Sequence, residues 1–263
     1  MKLAITLFTS VAALFAPVAP RALAEVRTEG DVLIFNGPVN RESADAVEAE
    51  LRGHPSLRRL RITSAGGQAP DGVRIGELVW HRSLDIEVIS YCNSACAQYV
   101  FVAGKRKIVA PRAIVTFHGT PASIAAELAH SPFKYGAALF SDEIAKEQDF
   151  YRRMGIDISL LVGAVTYLHP FCTFIIPSYP ATSRNHYAVF MAPQGYVLDY
   201  ASMKRLGIGG IEGFWPTSQA SLDSAVRSQP FKSQFVVKYV TDFDPLAITK
   251  KPAELILPDC TAL

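Results

Sequence analysis

The chain has no low-complexity tract, no internal repeat and, past its first residues, no apolar run long enough to span a bilayer. These absences exclude repeat architectures and multi-span membrane proteins. No basic patch interleaved with aromatics is present, so no nucleic-acid partner is expected. No dedicated phosphate-binding motif is found, and the paired C-x-x-C clusters that structural zinc prefers are missing. What remains is a globular composition, 49% hydrophobic and 19% charged over 263 residues, enough for one sizeable α/β domain.

The first residues account for part of the apolar excess. Lys2 precedes an apolar run from Leu3 to Ala16, and Ala22-Leu23-Ala24 has the small-x-small pattern of a cleavage site. Residues 1–24 therefore read as a secretory signal peptide, and the mature chain is expected to be periplasmic or secreted. Pro17 and Pro20 break the run before it reaches spanning length, so no stable membrane span is expected after cleavage. No cysteine follows the run to carry a lipid anchor. Removing residues 1–24 takes out Lys2, Arg21 and no acid, which brings the formal charge from +2 to 0.

Four cysteines remain: Cys92, Cys96, Cys172 and Cys260. In an exported chain an even count permits disulfides, and three pairings are open. Cys92–Cys96 with Cys172–Cys260 is favoured, because a strand-to-helix corner brings residues four apart together. A zinc site is the competing reading. The other expectation is that no metal and no cofactor is bound.

Periodicity alternates between strand and helix. Strands are expected at 31–37, 57–63 and 86–91, and helices at 42–54, 73–82 and 94–103, with Asn40 or Ser43 capping the first helix and Gly104 stopping the third. Residues 64–72 read as a loop. KRKIVA and AIVTFH read as two short strands joined by Pro111. Helices are expected next near 135–154 and 159–165. GYVLDYASMKRLGIGG reads as a strand, a short helix and a glycine stop, and QFVVKYV as a late strand. The alternation implies βαβ units and a mainly parallel sheet, whose sites form where strands end and helices begin. Three such corners stand out: Gly66-Gly67, Cys92 to Cys96, and His118-Gly119.

Together they hold the parts that acyl transfer needs. Ser94 offers a hydroxyl at a helix start, His118 ends a strand 24 residues later, and Gly66-Gly67 can turn backbone N–H groups toward an oxyanion. Each also has a plain structural reading. A serine at a helix start is a favoured cap, a histidine at a strand end is often structural, and a Gly-Gly is often only a turn.

The order ITSAGG, YCNSAC, VTFHG resembles the ClpP/crotonase superfamily, and the C-x-S-A-C form is similar to that of its exported members. The later GYVLDYASMKRLGI resembles the family's segment before its last glycine. The resemblance implies a crotonase-like α/β fold, a βαβ superhelix over residues 25–210, with residues 211–263 as a C-terminal extension packing on it. It implies Ser94 as nucleophile, His118 as base, and an oxyanion hole from Gly66, Gly67 and Ala95. The substrate would be a peptide or protein, and the chain would assemble as a homo-oligomer. The family's third catalytic member is an aspartate just before the late strand. No carboxylate stands near Gln194 and Gly195, and Asp199 is the nearest substitute. A serine–lysine pair with Lys134 or Lys146 ranks second. A non-catalytic binding or scaffold protein on the same fold is the alternative.

Overall fold

A computed structural model describes residues 23–123, 141–162, 171–177, 186–191, 195–230 and 236–243. The main sheet begins with β1 (Glu25–Glu29) and β2 (Val32–Asn36), an antiparallel pair. From β2 onward the pairings are parallel: β2 with β3 (Arg59–Ser64), β3 with β4 (Asp85–Asn93), and β4 with both β5 (Lys107–Val109) and β6 (Ile114–Thr116). The fold is thus α/β with a mainly parallel sheet, as expected.

β4 is longer than its β-branched stretch indicates, because two strands share it. Its first half pairs with β5 and its last residues, Tyr91 to Asn93, pair with β6. That division carries β4 past the end of β5 and delivers its end beside the end of β6. The alternate residues Leu60, Ile62, Ile86 and Val88 are fully buried, which gives the sheet its core face.

Helix α1 (Arg41–Gly53) buries Ala44, Val47 and Leu51 and starts in a reciprocal cap: Asn40 Oδ1 accepts from Ser43 N at 2.9 Å, and Ser43 Oγ accepts from Asn40 N at 3.0 Å. Helix α2 (Ala69–His81) begins four residues earlier than its periodicity indicates. Pro70 lies in its first turn, where its missing N–H costs no hydrogen bond. Helix α3 (Cys96–Phe101) comes directly after β4, with the wide turns of a π-helix, and all six of its residues are buried. Gly72 and Gly76 let α2 approach it: a Cβ at Gly76 would lie 2.5 Å from Tyr99 O.

Helices α4 (Ser141–Met154) and α5 (Ser159–Val162) fall within the expected helical regions. A hairpin of β7 (Phe171–Pro177) and β8 (His186–Met191) has no counterpart in the periodicity of the sequence. Then β9 (Gly195–Leu198) leads into α6 (Tyr200–Arg205). The expected extension enters the main sheet at once: β10 (Ile211–Gly213) pairs parallel with β5. Helix α7 (Gln219–Arg227) and β11 (Val237–Val240) complete the described chain, with β11 parallel to β9. Leu222 and Ala225 of α7 are buried with Ile114, Val197 and Val237. No helix among the described residues is long and apolar enough to cross a membrane.

Candidate functional site

The three corners meet at one edge. β3, β4 and β6 are parallel neighbours, with Ser64 level with Cys92 and Asn93 level with Thr116. The chain therefore leaves all three strands at the same end of the sheet: at Gly66-Gly67 after β3, at Ser94 after β4, and at His118 after β6.

Ser94 has a left-handed backbone, φ +56°. A non-glycine residue there is strained by roughly 1–2 kcal/mol, and a serine on such a strand-to-helix turn presents its hydroxyl outward. Its amide is anchored on Thr116 O at 3.1 Å, and its carbonyl accepts from Gln98 N at 2.8 Å. The first turn of α3 has no side-chain cap, and among the described residues the Ser94 hydroxyl makes no hydrogen bond. The capping role expected of Ser94 is not realised, because the left-handed backbone turns its side chain away from the amides that a cap would reach.

The disulfide Cys92–Cys96 closes around this turn, with Cα atoms 5.2 Å apart and both residues fully buried. It joins the end of β4 to the start of α3 and displaces the zinc reading. Cys260 lies outside the described residues, and with it the Cys172–Cys260 pairing.

The glycine loop packs against the serine. Gly66 has φ +88°, and a Cβ on it would lie 2.4 Å from Asn93 O and 2.5 Å from Ser94 Cβ. Gly67, at φ +153°, leaves no room either: a Cβ would lie 2.0 Å from Val39 O. The Gly66 amide donates to Ser64 Oγ at 3.0 Å and is engaged there. The bonds that hold the loop to Val39 use Gly66 O and Gln68 N, both at 2.9 Å, and leave the Gly67 amide outside them. Ala95, in the first helical turn, has an amide with no acceptor inside the helix. The Gly67 and Ala95 amides are thus left out of the loop's and the helix's own hydrogen bonds.

His118 is half-buried, with its Nδ1 on Gly119 O at 2.8 Å. A carbonyl can only accept, so Nδ1 carries the proton and Nε2 is the basic nitrogen. Burial pulls the imidazole below its ordinary value, and the Gly119 bond opposes that shift in part. Among the described residues no hydrogen bond joins the ring to Ser94.

Asp199 is not brought to this site. Phe117 bridges Tyr196 in antiparallel register, which sets His118 level with Gly195, and Asp199 stands four residues farther on, roughly 13 Å at the rise of a strand. Its carboxylate caps α6 instead, accepting from Ser202 N at 2.7 Å. Lys146 is exposed on α4, and Lys134 lies outside the described residues.

Two features carry no signal in the sequence. One is the Gly119 carbonyl that holds His118. The other is a buried polar cluster behind the site. There Glu147 accepts from Tyr99 OH and, at 3.0 Å, from Ala122 N, and burial raises its carboxyl above its ordinary value. A cavity of about 260 Å³ opens elsewhere, beside Trp80, Met154 and Lys107. Lys107 Nζ donates to Gly104 O at 2.7 Å and Gly209 O at 3.1 Å, tying the end of α3 to the approach of β10, and burial lowers it to about 8.

No protein-family model matches the chain, and no curated protein matches it. Among solved structures it is similar to a ClpP1 mutant from Listeria monocytogenes at 17% identity, covering 52% of this chain and 72% of that one, with a TM-score of 0.34.

Proposed function

We propose that the chain is an exported serine hydrolase, a ClpP-like peptidase acting on unfolded or short peptides. The observation that carries this reading is the Ser94 corner: a left-handed serine with an unengaged hydroxyl, against a glycine loop that only glycine can form. In the reaction Ser94 Oγ attacks the substrate carbonyl carbon while His118 Nε2 takes the hydroxyl proton. The carbonyl oxygen becomes an oxyanion that accepts from the Gly67 and Ala95 amides. The proton then passes from His118 to the leaving amine as the C–N bond breaks, and water releases the acyl group by the same path in reverse.

The Gly119 carbonyl takes the place of the aspartate. It fixes the tautomer as a carboxylate does but stabilises the imidazolium less, so turnover is expected to be slow. Residues 1–24 direct export, and the enzyme works in the periplasm or outside the cell, where the Cys92–Cys96 disulfide persists. Further copies of the same chain are its expected partners, as in the family that its motifs resemble.

One observation favours a second reading, a non-catalytic binding protein on the same fold: among the described residues Ser94 and His118 are not hydrogen-bonded and no carboxylate bonds to the histidine. Fluorophosphonate labelling of residues 25–263 separates the two. The hydrolase reading expects one adduct, mapped to Ser94 by mass spectrometry and absent from Ser94→Ala and His118→Ala. An unlabelled wild type, folded and oxidised, supports the binding protein.

A further inference from the structure

Gln98 sits one turn past Ser94 on α3 and is 2% exposed. Three of its groups are committed, each to a different part of the site's frame. Its backbone N–H donates to Ser94 O at 2.8 Å. Its side-chain Nε2 donates to the backbone carbonyl of His118. Its own carbonyl accepts from Tyr151 OH of α4 at 2.6 Å. Among the described residues it is the single one bonded to both Ser94 and His118.

The placement has a physical logic. His118 belongs to the segment that follows β6, and among the described residues its ring bonds to the carbonyl of the next residue alone. A bond between adjacent residues sets the tautomer but cannot fix where the segment stands relative to Ser94. The Ser94 N–Thr116 O bond sets the end of β6 beside Ser94, and the Gln98 amide holds His118 itself, two residues farther on. That amide is buried, so its bond is not exchanged with water and misplacing it leaves a carbonyl unsatisfied. Tyr151 in turn braces the helix that carries it, and the Tyr151 side chain is itself fully buried.

We infer that Gln98 is the positioning residue that holds the His118 segment in register with the Ser94 corner, an inference that rests on the hydrolase reading above. It touches neither the substrate nor the reacting atoms. It sets the distance over which the proton travels, and a misplacement near 1 Å can cost about 100-fold in rate.

Gln98→Met tests this, because methionine keeps the volume and removes the donor. Two measurements are made on the wild type and the variant, both as residues 25–263: the rate constant of fluorophosphonate labelling, and the His118 titration followed by NMR. The expected result is labelling slowed roughly 10- to 100-fold in a variant with unchanged circular dichroism. With it, the His118 titration moves upward, toward the ordinary imidazole value, as the released segment gains water. Labelling and titration both equal to wild type would overturn the inference and leave the hydrolase reading standing. If the wild type itself is unlabelled, that reading fails and the titration decides for Gln98: an upward move upholds the positioning, an unchanged one overturns it.

Discussion

Among single residues, Ser94 bears the most weight. Its left-handed backbone is costly for any residue with a Cβ, and its hydroxyl recovers nothing by capping the helix. Strain kept without a local return is the pattern of a functional position. Ser94→Gly is therefore expected to stabilise the protein by about 1 kcal/mol in denaturant unfolding while abolishing labelling. Ser94→Ala, which keeps a Cβ, is expected to abolish labelling with no such gain. A Ser94→Gly protein no more stable than Ser94→Ala would show that the turn is not strained by its side chain.

At this scale the sequence is partly legible. Ser94, His118 and the two glycines are visible because each is a residue type with a distinct chemistry at a strand end. The Gly119 carbonyl is not, since every residue has one and only the loop's geometry selects it. Gln98 is hidden differently. A glutamine in an apolar helix carries no signal until the structure places His118 O against it.

Among the elements, the β4–α3 junction decides most. β4 ends alongside β6, α3 starts immediately, and the disulfide spans the step. Cys92 and Cys96 are fully buried, so reductant in native buffer is expected to leave both the bond and labelling unchanged. The double variant Cys92→Ala/Cys96→Ala is expected to lose about 2 kcal/mol, a small figure because the loop closed is short. It is also expected to label more slowly, as the corner loosens. Faster labelling after native-state reduction would instead indicate a redox control.

The elements that periodicity reveals are those with one buried face. α1, with Ala44, Val47 and Leu51 inward, and β3, with Leu60 and Ile62 inward, are plain in the sequence. β1 is not, because it is an edge strand whose charged residues Glu25, Arg27 and Glu29 suit exposure rather than a core. The start of α2 is obscured because Gly-Gly-Gln-Ala-Pro suggests a loop, although proline is well placed in a first helical turn.

For the whole molecule, the segment beyond residue 210 is bound to the sheet and not merely laid on it. β10 continues the sheet past β5, β11 pairs with β9, and Trp215 Nε1 donates to Leu198 O at 2.9 Å. β9 also reaches the segment that carries His118, through the Phe117–Tyr196 bridge one residue before it. Truncation after residue 210 would uncover the edges of β5 and β9 and the apolar surface under Leu222. The expected product is insoluble or unfolded, in contrast to a soluble 25–263 chain, as read by size exclusion and circular dichroism. A folded 25–210 fragment that still labels would make the extension dispensable.

Whether His118 activates Ser94 is decided by the pH profile of the labelling rate. A histidine must be neutral to act as a base, and burial holds His118 below the ordinary 6.5. The labelling rate is thus expected to rise with pH through one ionisation lying below 6.5 and to be level above it, with the whole step missing in His118→Ala. A rate that keeps climbing through the alkaline range and is the same in His118→Ala would rule this activation out, since it would mean that hydroxide or a lysine, and not His118, takes the proton from Ser94.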